Sequence, residues 1–595
     1  MTGGYAAGAG SAPAAPGVLS PEHPADRAAV DVDVLVIGSG FGGSVAALRL
    51  AEKGWSVLVL EAGRRFADAD FAKTSWDVKN YLWAPGLGCY GVQRIHKLPD
   101  VMILAGAGVG GGSLNYANTL YRPPRAFYED PQWRDLADWE AELAPHYDTA
   151  SRMLGVVDEN PCDGPVEQVM KRAAEDLGVG GTYRKTPVGV FFGTPGVTVP
   201  DPYFGGAGPA RTGCTMCGNC MVGCRVGAKN TLVKNYLALA EGLGVHIEPM
   251  RTVTHLGEIP GSRGSDGRAA YRIRHEATDA RGERNARVTR ARFVVVAGGT
   301  WGTQSLLHAM KESGDLPHLS DRLGHLTRTN SEALLGALTE DPPAEVDLTH
   351  GIAITSSFHP DEDTHVENVR YGRGSNAMGL LSTLLVPGDS DNPRPVEFLR
   401  TVRRHPQALT RMFPMVRAWS ERIVIGLVMQ SRDNSLRVFR RHGRLTSEQG
   451  HGEPNPTYIA AGHRAMEAVA SRLAEATGGP VLGQCHPGQR TLFPQQLVRL
   501  RARLVQRPEG DQRVGVRGLD RVEPADHVAV ASGEGRKVPG VLDESGGGTR
   551  VDVEPARDRG RSRQQITQTR RRVPQRHHHP GPQLPITEPR GRRQE

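Results

Sequence analysis

The sequence predicts an α/β protein, with a Rossmann-like domain on a parallel sheet, a second domain carrying an antiparallel sheet, and a C-terminal tail that lacks a core of its own. Three observations predict it. Residues 31–63, DVDVLVIGSGFGGSVAALRLAEKGWSVLVLEAG, spell strand, glycine turn, helix and strand in order. Runs between 334 and 438, such as 351–358 and 422–429, alternate in the way antiparallel strands do. The last 111 residues hold one aromatic, Phe493, of the 33 in the chain.

The opening unit carries the most chemistry. Val32 and Val34–Ile37 form a β-branched apolar run, and Gly38, Gly40 and Gly43 then spell G-x-G-x-x-G. The first glycine permits a tight turn, the second lets the backbone reach a pyrophosphate, and the third allows helix and strand to pack closely. The spacing predicts a helix over 44–53, with Val45, Ala47, Leu48 and Ala51 on its apolar side, and a second strand over 56–60. Glu61 follows, 23 residues after Gly38, where a carboxylate can accept the ribose hydroxyls of an adenosine. The alternative is an ordinary buried βαβ unit. Strand, triplet, helix, strand and acid in sequence favour dinucleotide binding.

Residues 101–118, VMILAGAGVGGGSLNYAN, read as a strand entering a second glycine turn with Gly106, Gly108, Gly110, Gly111 and Gly112. So many glycines lose backbone entropy and build no core, which suits backbone laid against a flat ligand; a flexible loop is the other reading. Residues 131–155 predict a helix whose Trp133, Leu136, Leu143 and Tyr147 pack into the core. Residues 244–253 predict one extended segment of the first sheet. Residues 291–307 repeat the strand, turn and helix pattern, with the strand at Val294–Ala297 and the turn at Gly298, Gly299 and Gly302. Residues 457–477 predict an amphipathic helix ended by Gly478, Gly479 and Pro480.

Length allows about two or three domains, and no apolar window is long enough to span a bilayer. Residues 1–30 are rich in Ala, Gly and Pro and lack a basic start or an apolar stretch, so they predict a disordered leader and a cytoplasmic protein. Four of the seven cysteines crowd into 214–224, which is no disulfide framework. The net charge of +7 belongs to the tail: residues 485–595 hold 21 Arg and one Lys against 13 acidic residues, whereas the rest holds 50 basic and 52 acidic. An arginine-rich arm can hold nucleic acid, but no aromatic interleaving or recognition helix accompanies it, so no specific nucleic-acid partner is expected.

Taken together, VIGSGFGGSVAALRLAEKGWSVLVLEAGRR (36–65), GAGVGGGSLNYANTL (106–120), GAKNTLVKNYL (227–237), VVVAGGTWGTQSLL (294–307) and DTHVENVRYGRGSNAMG (363–379) resemble the glucose–methanol–choline (GMC) family of FAD oxidoreductases, most closely its cholesterol oxidase branch. The resemblance implies FAD held by Gly38, Gly40, Phe41, Gly42, Gly43 and Glu61. It places Gly110, Gly111, Gly112, Ser113 and Asn118 beside the isoalloxazine and the Val253 backbone near the adenine, with Gly106, Ala297, Gly298 and Gly302 as further cofactor residues. It also implies an FAD-binding domain over 31–333, including a Cys-rich segment at 211–226, and a substrate domain over 334–484. The implied reaction passes the hydride of a sterol 3β-hydroxyl to flavin N5, with movement of the Δ5 double bond to Δ4. Oxygen or another electron acceptor reoxidises the flavin, and transient membrane-surface contact delivers the substrate.

Glu367 falls where that branch has a proton-moving glutamate, although with Asp361, Glu362 and Asp363 it could equally belong to a solvated acidic loop. Cys214-x2-Cys217-x2-Cys220-x3-Cys224 has the spacing of an iron–sulfur ligand run, with Arg225 where a proline follows in bacterial ferredoxins. A zinc site or inert buried thiols are the alternatives. The family's His-x-x-Gly-Gly segment and Asn-Pro turn are missing after the 457–477 helix. His486 is the nearest candidate catalytic histidine. The 485–595 tail reads as disordered and as an out-of-frame translation of the family C-terminus. Three alternative functions follow: a flavin-binding but catalytically impaired protein, a dehydrogenase using an iron–sulfur cluster, and nucleic-acid binding through the tail.

Overall fold

The computed structural model describes residues 30–485 except 263, 266, 281–284, 387–391, 393, 405 and 407–416. The readings of the leader, of the tail and of His486 therefore lie outside the described residues.

The first sheet has six strands: β1 (Val32–Ile37), β2 (Val57–Leu60), β3 (His246–Glu248), β4 (Arg251–Glu258), β5 (Tyr271–Ala277) and β6 (Arg287–Val296), in the order β3-β2-β1-β6-β5-β4. Strands β3, β2, β1 and β6 run parallel. Strands β6, β5 and β4 form an antiparallel meander. β1 is covered on both faces, which is why its sequence is an unbroken apolar run. Val34 and Val36 pack with Ala47, Leu48 and Leu237. Leu35 and Ile37 point the other way, into a core with Leu60, Ile273, Leu306 and Met310, as a period of two requires. The helix after the turn, α1 (Phe41–Ala51), begins three residues before the predicted start and takes in Gly43, the last glycine of the triplet. Residues 244–253 are not one strand. β3 pairs with β2 and β4 with β5, and the chain changes partner at Met250, whose φ of 58° breaks the extended run.

The second sheet is antiparallel throughout. It contains β7 (Ala333–Thr339), β8 (Ser356–Phe358), β9 (Thr364–Val369), β10 (Ile423–Gln430) and β11 (Val481–Cys485), with short edge strands at Arg184–Lys185 beside β8 and Thr383–Leu384 beside β11. Strand order places β10 between β7 and β9. On one face, Ala337, Val424 and Val428 pack against the helices Pro165–Asp176 and Ala460–Thr477 through Met170, Ala465, Met466 and Val469. The helix Ala460–Thr477 comes very close: a Cβ on Gly462 would stand 2.4 Å from Val428 Cγ1, and one on Gly426 would stand 2.3 Å from Met466 Sδ. The opposite face of β10 presents Ile423, Ile425 and Leu427.

Arg370 and Glu167 form an ion pair with side chains 2% and 1% exposed, joining the end of β9 to the helix Pro165–Asp176. Burial raises the Glu167 carboxyl, but Arg370 and the Thr355 hydroxyl outweigh it, so the group stays ionised more readily than usual. The helix expected over 131–155 spans only Trp139–Met153, capped by Asp138, which accepts from Ala141 N–H. None of its residues is buried and Leu136 is 75% exposed, so the apolar face assigned to the core is a partly solvated surface. Among the described residues no helix is long and apolar enough to cross a membrane.

Candidate active site

The glycine triplet and Glu61 form a single device. Gly38 takes φ 97°, and a Cβ there would stand 2.5 Å from Ala297 O, so the chain leaving β1 approaches the end of β6 this closely only because Gly38 is bare. A Cβ on Gly43 would stand 1.9 Å from Gly38 O, whereas Gly40 meets nothing nearer than Gly111 Cα at 3.9 Å. The third glycine thus serves helix–strand packing, and the second leaves space in front of the α1 N-terminus, where backbone N–H groups favour phosphate. Glu61 is 6% exposed. Its Oε2 accepts from Ser39 N–H (3.1 Å) and Ser39 Oγ (2.7 Å), and its Oε1 accepts from Gly63 N–H (2.8 Å). Ser39 Oγ also accepts from Gly110 N–H (3.0 Å), which ties the second glycine turn to the first.

That second turn lies directly against the triplet: a Cβ on Gly111 would stand 2.7 Å from Gly40 Cα, and one on Gly106 would stand 2.5 Å from Gly112 Cα. Ser113 Oγ donates to Gly110 O and accepts from Leu232 N–H, holding the turn from beneath. Asn118 is turned away from the cavity described below. It is fully buried with φ 75°, and its amide lies against the Cys220 thiol. Asn115 reaches the cavity instead, donating to Gln93 Oε1 (2.9 Å). Which asparagine of a turn faces the ligand depends on its dihedrals, and composition does not report them. Of the third glycine group, Gly298 caps the helix Gly299–Ser313, while Gly302 has nothing within 4 Å of its missing Cβ. Phe41 lies edge-on to Tyr116 at the cavity wall, and Gly42 has open space around it.

A cavity of about 440 Å³ adjoins Glu61 and is lined by Ala62, Trp83, Arg94, Thr252 and Thr254. The Val253 side chain packs into the core, so its backbone flanks this space. Arg94 carried no signal in the sequence. Its guanidinium lies 4.6 Å over the Trp83 ring, and its buried Nε has no hydrogen-bond partner. Burial lowers its pKa and Glu61 partly restores it.

The main cavity, about 400 Å³, opens between the second glycine turn and the second sheet. Gly106, Gly112, Asn115 and Tyr116 stand on one side, and Val369, Ile425, Leu427, Met378 and Trp419 on the other. Register places Glu367 beside Leu427 and Val369 beside Ile425, so Glu367 shares the cavity-facing side of the sheet. It is 3% exposed and part of a strand, not of a solvated acidic loop. Burial raises its pKa to about 7, the Tyr121 hydroxyl donates to it and pulls the other way, and Glu332 adds to the rise. Its Oε1 has no hydrogen-bond partner. Glu332 lies immediately before β7, diagonally across β10 from Glu367, and burial raises it to about 7 as well, with Asn330 opposing. It lines both the main cavity and a neighbouring one of about 380 Å³. Glu332 lines the cavity and Glu367 lies on the same sheet face as its lining residue Leu427, so two carboxyls with raised pKa stand at or beside one apolar space and can take up and release protons near neutral pH.

Cys214, Cys217, Cys220 and Cys224 line one small cavity. Among the described residues no three His, Cys, Asp or Glu side chains are grouped to hold a metal ion, which removes the zinc reading. All seven cysteines are free thiols.

The DAO family of FAD dependent oxidoreductases matches residues 33–181. A cholesterol oxidase of Mycobacterium tuberculosis is 57% identical over 463 residues, covering 76% of this chain and 78% of that protein. The chain belongs to the GMC oxidoreductases, in their cholesterol oxidase branch. A cholesterol oxidase of Acinetobacter baumannii is 40% identical over 450 residues, covering 74% of this chain and 80% of its own. An uncharacterized GMC-type oxidoreductase of M. tuberculosis is 28% identical over 407 residues, covering 66% and 54%. This GMC member is an FAD-dependent alcohol oxidoreductase. The bare Gly40, the close-packed second turn and the partnerless Arg94 Nε fit a dinucleotide running from Glu61 toward the main cavity.

Proposed function

We propose that this chain oxidises the 3β-hydroxyl of a sterol and moves the ring double bond, in the cytoplasm, drawing substrate by transient contact with membrane surfaces. The observation that carries the proposal is the apolar main cavity, of sterol-like size, set between the cofactor turn and a sheet face bearing Glu367. In this reading, residues 31–333 hold the cofactor and 334–484 receive the substrate, with the helix Pro165–Asp176 and the strand Arg184–Lys185 lent to the second part.

Gly38, Gly40, Gly43 and Glu61 would hold FAD, which would supply the acceptor for the hydride of the alcohol carbon. Ile423, Ile425, Leu427 and Trp419 receive the fused rings and exclude water. Gln93 fixes the Asn115 amide at the wall. Glu367 takes a proton from a ring carbon and returns it at another, the Tyr121 hydroxyl holding its carboxyl in place. The free thiols accord with a reducing compartment.

The test is anaerobic mixing of the FAD-loaded full chain with cholesterol in detergent micelles. Flavin absorbance should bleach and a 3-keto steroid should form; a flavin that stays oxidised overturns the proposal. Admitting oxygen then separates the acceptors, because an oxidase recovers its absorbance and releases peroxide.

A further inference from the structure

The double-bond step has Glu367 gain and lose a proton, yet the residue is sealed from water in the second sheet. We propose that the Tyr121 hydroxyl relays protons between Glu367 and solvent, so that the proton returned to the steroid is drawn from water and not only from the carbon that lost it. The inference rests on the reading of Glu367 as the base of that step.

Backbone contacts place the tyrosine. Past the second glycine turn, Thr119 forms an antiparallel bridge with Val188, and Leu120 N–H donates to Pro187 O (3.1 Å). The next residue, Tyr121, is thereby held at the part of the second sheet where Arg184 pairs with Ser357 and Ser357 with Glu367. His365 and Glu367 stand two apart on β9 and share one face. The Tyr121 ring meets His365 edge-on, with centroids 5.3 Å apart, and His365 stacks on His359 at 4.5 Å. These rings hold the phenol toward the carboxyl. Its hydroxyl donates to Glu367 and accepts from Ser357.

Exposure sets the route. Glu367 and Ser357 are 3% and 4% exposed, whereas Tyr121 is 42% exposed, so of the three the tyrosine has by far the most contact with water. A phenol hydroxyl both donates and accepts, and burial together with the Glu367 charge keeps this one un-ionised. It passes a proton without becoming charged: its oxygen takes the proton of the Glu367 carboxyl as its own O–H bond breaks toward a water, and the reverse transfer reprotonates the carboxyl. The neighbouring rings do not compete for that proton. Burial lowers His365 to about 4 and lowers His359 as well, so both are neutral near pH 7, where Glu367 changes charge.

The chemistry then has two distinguishable outcomes. Glu367 takes a proton from the α carbon of the ketone, the C–H electron pair forms the dienolate, and a proton is added at the γ carbon as the double bond moves; no oxidant takes part. A sealed carboxyl hands back the proton it took. A relayed one exchanges it in between.

The test supplies the Δ5-3-keto steroid directly to the FAD-loaded full chain in heavy water, which bypasses the oxidation, and reads deuterium in the Δ4-3-keto product by mass spectrometry against a protein-free control. The parent product should carry deuterium at the γ carbon. In Tyr121→Phe the deuterated fraction should fall severalfold at equal conversion, with FAD content unchanged. The pH midpoint of isomerisation should also move upward in that variant, because the hydroxyl no longer favours the ionised carboxyl while Glu332 still opposes it. A parent product without deuterium overturns the relay, and so does an unchanged fraction in Tyr121→Phe. If Tyr121→Phe does not fold, Ser357→Ala, which removes the donor that orients the hydroxyl, should lower the fraction in the same direction, and an unchanged fraction there overturns the proposal. A parent that does not isomerise the ketone at all overturns the Glu367 assignment, and the relay with it.

Discussion

Replacing Glu367 by Gln separates a buried acid that works from one that merely occupies the sheet. In the folded protein its pKa rises from 4.5 to about 7, chiefly through burial. The folded chain therefore holds this proton over a range where the unfolded chain has released it. That contribution to stability is full below about pH 4.5, falls as pH rises, and is gone above about pH 7. The shift corresponds to about 3 kcal/mol. Glutamine cannot ionise, so the stability difference between Glu367→Gln and the parent should move by about that amount in the variant's favour between pH 4.5 and 7.5. Denaturant titrations of the FAD-loaded protein at four pH values measure it. In catalysis the carboxylate must be free to accept a proton, so isomerisation in the parent should rise with pH through about 7. In Glu367→Gln it should fall by about 10²–10⁴-fold, with flavin content unchanged. Parallel stability curves for the two proteins, together with retained isomerisation, would refute the assignment.

Other perturbations test the rest of the site. Gly43→Ala drives a Cβ to 1.9 Å from Gly38 O and should lose FAD and at least about 1–3 kcal/mol of stability. Gly302→Ala meets nothing within 4 Å in a helix interior and should keep its FAD and gain about 0.5–1 kcal/mol; flavin absorbance and melting temperature read both. Arg94→Gln should weaken FAD binding to the apoprotein by at least about tenfold, measured by quenching of flavin fluorescence, because a charge-assisted hydrogen bond is lost. Glu167→Ala leaves Arg370 buried without its partner and should lose about 3–5 kcal/mol in a denaturant titration.

The sequence shows most clearly what local backbone geometry determines. The triplet, β1, α1, β2 and the second glycine turn were legible because a phosphate-binding turn imposes residue types at fixed spacing. The run at 422–429 foretold β10 because it is apolar and β-branched on both faces, one packed against helices and the other against the cavity. Other features depend on contacts distant in sequence. The helix Trp139–Met153 has an apolar pattern that no partner covers. The bend at Met250 arises where two strands seek partners in different places. Arg94 and Glu332 are ordinary surface types in the sequence, and only long-range burial makes them notable. Asn115, which the sequence did not single out, lines the cavity, and Asn118 does not, because the dihedrals of one turn, and not its composition, aim a side chain. The tail and His486 fall outside the described residues.

Strand β10 has one more consequence. Its alternate residues belong to two different surfaces: Ile423, Ile425 and Leu427 shape the cavity, while Val424, Gly426 and Val428 are pressed against the helix Ala460–Thr477 with no slack. The cavity floor thus behaves as a clamped plate rather than a soft lining. Adaptation to a bulkier or slimmer alcohol has two routes, trimming the three cavity-side residues or re-spacing the helix behind the plate. The second route would alter substrate preference through positions that no substrate touches.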